Sequence, residues 1–377
     1  MLAIVLLACS TLCSQASTPA KVHKDETFTE FFRRTNGLTA GDGAISVPLT
    51  DGRVLWLFGD SHLDDLEQRT GTMPCLFQTR NAGLLQSSKE AKDALTLVGA
   101  KPGFRSWFKN STNNNEWFWP GCGFQSGEKL YIYLFALRKT KEGGMWGWEA
   151  TGQDYWGRIE LLTVNPAQGS SEGLGPATYI PLPALNGIGF GNGFVKEDDF
   201  VYAYGGKQRE LASDLYVARF KSAAPATAWT FWDGTNWTSN ATHAAAIGRG
   251  ASTSLHVCKV KGNFLMTTSA FSMRCDQGKD IYMATSLGPT GPFSAQKKIY
   301  TIEDRYQGHV PFFYFPIAHP EFINDRNELL VTYSINGYEP CVSACIKGRA
   351  IPDHYRPKAF RVPLEGLANP GLNENNP

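Results

Sequence analysis

Two aspartates, Asp42 and Asp60, stand at the open ends of a stretch that reads as one β-hairpin. Gly41-Asp42-Gly43-Ala44-Ile45-Ser46-Val47-Pro48-Leu49 and Arg53-Val54-Leu55-Trp56-Leu57-Phe58-Gly59-Asp60-Ser61-His62 flank the loop Thr50-Asp51-Gly52. A two-residue loop at Asp51-Gly52 would turn the aspartates to opposite faces. A three-residue loop, with Gly52 left-handed after a type I turn, pairs Leu49 with Arg53 and sets Asp42 directly across from Asp60. The second is favoured, because like charges opposed on a ladder are destabilising and a chain selected only for stability has no use for them. Directly opposed residues have Cβ atoms about 4.5 to 5.5 Å apart. That is near the roughly 5 to 5.5 Å carboxyl separation of retaining glycosidases, which need one carboxyl as proton donor and one as nucleophile. Mutual repulsion would split the two pKa values and keep one carboxyl protonated near neutral pH. The plainer reading, in which each aspartate caps a turn beside its glycine neighbours, stands level with this one on the hairpin alone.

The hairpin belongs to a loosely repeated series. Strand cores Val54 to Phe58, Leu130 to Phe135, Phe200 to Tyr204, Asn263 to Thr268 and Glu328 to Tyr333 recur at roughly 65 to 75 residues. Each follows a turn such as Thr50-Asp51-Gly52, Ser126-Gly127-Glu128 or Val260-Lys261-Gly262. Two hairpins per unit make a four-stranded blade, and radial repetition protects strand edges. The expected fold is therefore all-β, a five-bladed β-propeller formed by a single domain over residues 28–366. A pair of sandwiches is the alternative, with Ala223-Ala224-Pro225-Ala226-Thr227 as its only candidate linker. Ser87 to Leu97 has helical character and reads as a short surface helix.

Residues that open the repeats would line the axis of such a fold: Asp42, Trp119-Pro120-Gly121, Gly191-Asn192-Gly193, Ser252-Thr253-Ser254 and Ala318-His319-Pro320-Glu321. Together they suggest a polar pocket in which Trp119, Asn192, Ser254, His319, Glu321 and the neighbouring His62 would bind substrate. Taken singly, each reads more readily as a small or packed residue near the axis, and Glu321 as an ordinary strand-start acid. Tryptophans at 107, 117, 119, 146, 148 and 156 cluster in glycine- and asparagine-rich segments that could carry sugar-stacking platforms. No zinc motif, phosphate loop, dinucleotide fingerprint or nucleophile elbow is present, so neither a metal nor a cofactor is expected.

The 377 residues carry a net charge of +1, which leaves no electrostatic footprint for nucleic acid or an anionic membrane and suits a neutral polymer. Leu2-Ala3-Ile4-Val5-Leu6-Leu7-Ala8 reads as a secretory signal too short to span a bilayer. Cleavage after Ala16 is one reading; Leu6-Leu7-Ala8-Cys9 also resembles a lipobox, which would place a lipid anchor at Cys9. An exported chain, secreted, periplasmic or at the cell surface and acting as a monomer, is expected. Cleavage after Ala16 would leave six cysteines, and an even number in an exported chain favours disulfides over metal ligation. Cys258 with Cys275 and Cys341 with Cys345 are the expected local pairs.

The runs GDGAISVPLTDGRVLWLFGDSHL, WPGCGFQSGEKLYIYLFAL, GNGFVKEDDFVYAYGG and AHPEFINDRNELLVTYSIN span most of the mature chain. Together they resemble the five-bladed propeller endo-D-arabinanases of glycoside hydrolase family 183, once filed as a domain of unknown function. The first run is the most specific, because both aspartates and the hairpin between them align. The resemblance implies a secreted enzyme cleaving D-arabinofuranosyl linkages of an arabinan or arabinogalactan-type polysaccharide, with Asp42 and Asp60 as the catalytic pair. Cys341-Val342-Ser343-Ala344-Cys345 departs from that pattern. A non-catalytic glycan-binding or protein-interaction propeller is the competing class, and it has no need of two opposed carboxylates.

Overall fold

The structure is a computed structural model and describes residues 21–100, 105–110, 113, 115–140, 147–162, 173–337 and 345–367. The expected signal segment, Cys9, Trp146 and Cys341 lie outside these residues. The described chain is nearly all-β and antiparallel. Among the described residues, no helix is long and apolar enough to cross a membrane.

Five sheets of four or more strands follow one another along the chain, and each of the five expected cores is the second strand of one of them. These strands are Val54–Leu63, Lys129–Lys139, Phe200–Arg209, Asn263–Ser269 and Glu328–Asn336. Each pairs with the strand before it: Leu38–Pro48, Glu116–Ser126, Gly189–Glu197, Leu255–Val260 and Phe312–His319. These five first strands lie against one another in succession, and the fifth returns to the first. The second strands read as near-continuous apolar runs because both of their faces are buried. Leu55 and Leu57 pack with Leu130 and Ile132 of the second sheet, whereas Trp56 and Phe58, on the other face, pack with Phe322 and Leu330 of the fifth. Similar cores join Trp156 to Phe220, Tyr204 to Phe264, and Leu265 to Val331. Every sheet is thus covered by its two neighbours.

The two ends of the described chain share a sheet. His23–Lys24 pairs with Lys358–Pro363, the neighbour of Glu328–Asn336. Next to it, the helix Glu26–Phe31 is capped by Asp25, whose carboxylate accepts from Phe28 N and from Arg361 Nε at 2.6 Å. The helix expected over Ser87 to Leu97 does not form. Ala94–Leu97 is instead the outer strand of the first sheet, where pairing with Ala82–Gln86 outweighs a weak local preference.

The cysteine pairing also differs from the expectation. Cys345 is bonded to Cys75, 270 positions away. A turn at Lys347-Gly348 folds Cys345–Ile346 onto Arg349–Ala350, whose other edge pairs with Met73–Pro74, and this brings Cys75 alongside. Cys275 is disulfide-bonded, but not to Cys258: Cys258 and Cys122 are buried free thiols. Burial and the nearby Glu321 push the Cys122 thiol up to about 12 and Cys258 well above its ordinary value, so both are inert while the chain is folded.

Candidate active site

The hairpin that carries both aspartates turns as the three-residue reading requires. Leu49 N donates to Arg53 O, Gly52 N donates to Leu49 O, and Gly52 has φ +91°. Direct opposition of Asp42 and Asp60, however, does not follow from it. The register holds from Pro48↔Val54 to Ile45↔Leu57, slips at Ala44 (φ +51°) to Gly43↔Phe58, and returns at Gly41↔Ser61. Asp42 therefore faces two residues, Gly59 and Asp60, across a bulge. Bulges re-aim side chains beside functional sites, and here the bulge directs the Asp42 carboxyl over Gly59. A Cβ at Gly59 would sit 2.5 Å from Asp42 Oδ1 and 3.8 Å from the Trp119 ring. The missing side chain is what makes room.

Each carboxylate has its own set of donors. Asp42 Oδ2 accepts from the Tyr314 hydroxyl at 2.7 Å and the Tyr355 hydroxyl at 3.1 Å. Asp60 is only 8% exposed; its Oδ1 accepts from Trp119 Nε1 at 3.1 Å, and Arg80 Nη1 stands 3.4 Å from both its oxygens. The Arg80 guanidinium lies over the rings of Trp117 and Phe77, and Trp148 packs edge-on to Trp119 at 4.7 Å. Burial raises Asp42 to about 6 against the pull of the two tyrosine hydroxyls. Burial and then the Asp42 charge raise Asp60 to about 7 against Arg80 and Trp119. The pair shares one electrostatic environment and can hold one proton between two carboxyls near neutrality.

The remaining expected residues divide. Trp119 joins the aspartates. His62 is fully buried, with Nδ1 2.7 Å from Asp65 Oδ2 and its ring edge-on to Tyr355, so it supports the site from beneath rather than from the solvent side. Asn192 Nδ2 donates to Leu255 O, and the Ser254 hydroxyl accepts from Phe315 N; both tie one sheet to the next. His319 and Glu321 belong to a second cluster. His319 Nδ1 is 2.6 Å from Ser46 Oγ and its Nε2 2.8 Å from Thr332 Oγ1, while Glu321 hydrogen-bonds Ser46 and lies 3.9 Å from His319. Burial raises Glu321 above its ordinary value, against the hydrogen bond from Ser46, and drives His319 well below its own, so the imidazole is held neutral.

Tyr314, Tyr355 and Arg80 were not singled out in the sequence. Both tyrosines come from the far end of the chain, 272 and 313 positions from Asp42. Among the described residues, no group of three or more His, Cys, Asp or Glu side chains is arranged to hold a metal ion. The groove lined by Thr27, Glu30, Arg33, Arg34 and Asp93 lies beside the N-terminal helix and contains none of the site residues.

A family model described as a domain of unknown function, DUF5005, matches residues 25–369. No curated protein sequence matches the chain. A solved structure of a candidate hydrolase from Bacteroides ovatus is similar with a TM-score of 0.73 at 19% identity, over 94% of this chain and 93% of that one; the likeness is one of fold. More distant are a GH43 β-1,3-galactosidase with galactodeoxynojirimycin (TM-score 0.49, 9% identity, 88% and 93% covered) and a GH43 enzyme from Xanthomonas citri (0.41, 14%, 90% and 92%).

Proposed function

The chain belongs to the DUF5005 family, and we propose that it is a glycoside hydrolase that cleaves furanosidic linkages, an endo-D-arabinofuranase acting on D-arabinan. The observation that carries this reading is the pair of desolvated carboxyls at the bulged hairpin, flanked by partly exposed tryptophans at 117, 119 and 148. Asp60, the higher of the two, is the general acid that protonates the leaving oxygen. Asp42, whose charged form the two tyrosine hydroxyls stabilise, is the carboxylate that attacks the anomeric carbon. Water then hydrolyses the glycosyl ester with Asp60 acting as base, so that configuration is retained. Trp119 and Arg80 fix the orientation of Asp60, and the edge-on tryptophans offer apolar faces to sugar rings. The five mutually covering sheets support a five-bladed propeller whose first strands surround the axis, with Asp42 on one of them. The Cys75–Cys345 disulfide supports an oxidising, exported location.

The reading is tested by incubating the purified protein with D-arabinan, L-arabinan, arabinogalactan, xylan and β-1,3-galactan and analysing released oligosaccharides. Release of D-arabino-oligosaccharides of several lengths is the expected result. Release from another glycan alone would move the substrate, and release from none, with or without binding, would remove the catalytic reading.

A further inference from the structure

Phe315 is at odds with what folding alone would select. It is 44% exposed and has φ +48°, a conformation that glycine or asparagine adopts with ease and a bulky side chain rarely does. The strand around it is interrupted. Tyr314 pairs with Ser334 and Ile317 with Thr332, so Phe315 and Pro316 together face Tyr333 in a bulge. Its backbone N–H is held by the Ser254 hydroxyl at 3.3 Å. The Phe315 ring meets the Tyr314 ring edge-on at 5.3 Å, Phe312 stacks on Tyr314 at 4.8 Å, and the Tyr314 hydroxyl donates to Asp42. An exposed aromatic ring is thus fixed one side chain away from the carboxylate proposed to attack the substrate.

We propose that Phe315 is a sugar-stacking residue: a platform beside Asp42 for the C–H face of a ring in a neutral glycan. The inference rests on the glycoside hydrolase reading and adds the residue that would hold the sugar on the Asp42 side. A furanose or pyranose ring presents apolar C–H groups on one face and hydroxyls at its edge. An unyielding aromatic surface next to hydrogen-bonding groups binds that combination at little entropic cost. Ser254 then acts as a positioning residue that pins the Phe315 backbone.

The test uses Phe315→Gly and Phe315→Trp in the otherwise intact protein. Glycine accepts a positive φ without strain, so Phe315→Gly should keep or raise the melting temperature. It should nevertheless raise KM for the cleaved polysaccharide about tenfold or more, the scale of one lost apolar contact. The limbs of the pH profile should stay in place, and Phe315→Trp should restore KM to within about threefold of wild type. An unchanged KM in Phe315→Gly, or a melting temperature that falls in step with activity and is not recovered by Phe315→Trp, would overturn the proposal while leaving a hydrolysing wild type intact. A wild type that neither binds nor cleaves any of D-arabinan, xylan or β-1,3-galactan would instead remove the underlying enzyme reading, and this one with it.

Discussion

Two places in this molecule bring titratable side chains together out of water, and they are built to opposite ends. At the bulged hairpin, Asp42 and Asp60 are raised but each keeps strong donors, Tyr314 and Tyr355 on one and Trp119 and Arg80 on the other. Partly exposed aromatic rings surround them. Around Ser46, by contrast, a single acid, Glu321, is raised by burial and shares the Ser46 hydroxyl with His319, which is fully buried and lowered. Glu321 Oε1 has no hydrogen-bond partner within the described residues. Burial alone therefore does not mark a catalytic centre. What separates the two is the meeting of two carboxyls and the partly exposed aromatic rings beside them.

The contrast can be broken by removing that support. Tyr314→Phe takes a hydroxyl donor from Asp42 while leaving the ring in place. A hydrogen bond to a charged group is typically worth about 1.5 to 3 kcal/mol, so kcat/KM should fall about ten- to a hundredfold, with the acid limb of the profile moved upward because ionised Asp42 has lost a stabiliser. Turnover within about twofold of wild type would mean that Asp42 does not act as an anion.

Arg80→Gln sharpens the comparison through pH. Arg80 opposes the upward shift of Asp60, so its loss should raise Asp60 further and move the alkaline limb of kcat/KM upward. A downward or absent shift would show that Asp60 is not the acid. Stability gives a second readout with a definite sign. Both aspartates bind protons more tightly folded than unfolded, so unfolding free energy should fall as pH rises from the ordinary carboxylate range near 4 towards 7, and Asp60→Asn should flatten that slope. Chemical denaturation across this window measures it.

The smallest effect is expected at the Ser46 cluster. Glu321→Gln keeps the shape of the side chain at a place with no second carboxyl, and kcat/KM should stay within about twofold of wild type. A hundredfold loss there, with folding intact, would make the cluster part of the chemistry.

Much of this organisation was legible in the sequence, for a reason visible in the cores. Val54 to Phe58 and its four counterparts are largely buried, so they stand out as apolar runs, and the turns before them, three of the five with a glycine, set the period. The turn at Gly52 was legible too, because a left-handed residue there calls for glycine. The bulge was not. It depends on Ala44 adopting a positive φ, for which alanine carries no signal, although Gly59 beside Asp60 marks the space that the Asp42 carboxyl fills. Tyr314 and Tyr355 escaped because their roles arise only when the end of the chain meets the first sheet, and Arg80, 20 positions from Asp60, because no spacing rule marks a loop arginine before a neighbouring strand. The Cys75–Cys345 bond escaped for a related reason: local spacing favours Cys341 with Cys345, whereas a small three-stranded sheet decides otherwise.

The central claim is that Asp42 and Asp60 together carry out glycoside hydrolysis. Its most direct test is the turnover of Asp42→Asn and Asp60→Asn on D-arabinan, with circular dichroism and thermal unfolding followed in parallel and azide added as an external nucleophile. Both variants should fold and lose about 100- to 10,000-fold in rate, and azide should recover glycosyl azide from Asp42→Asn. A folded variant of either aspartate that turns over near the wild-type rate would contradict the claim.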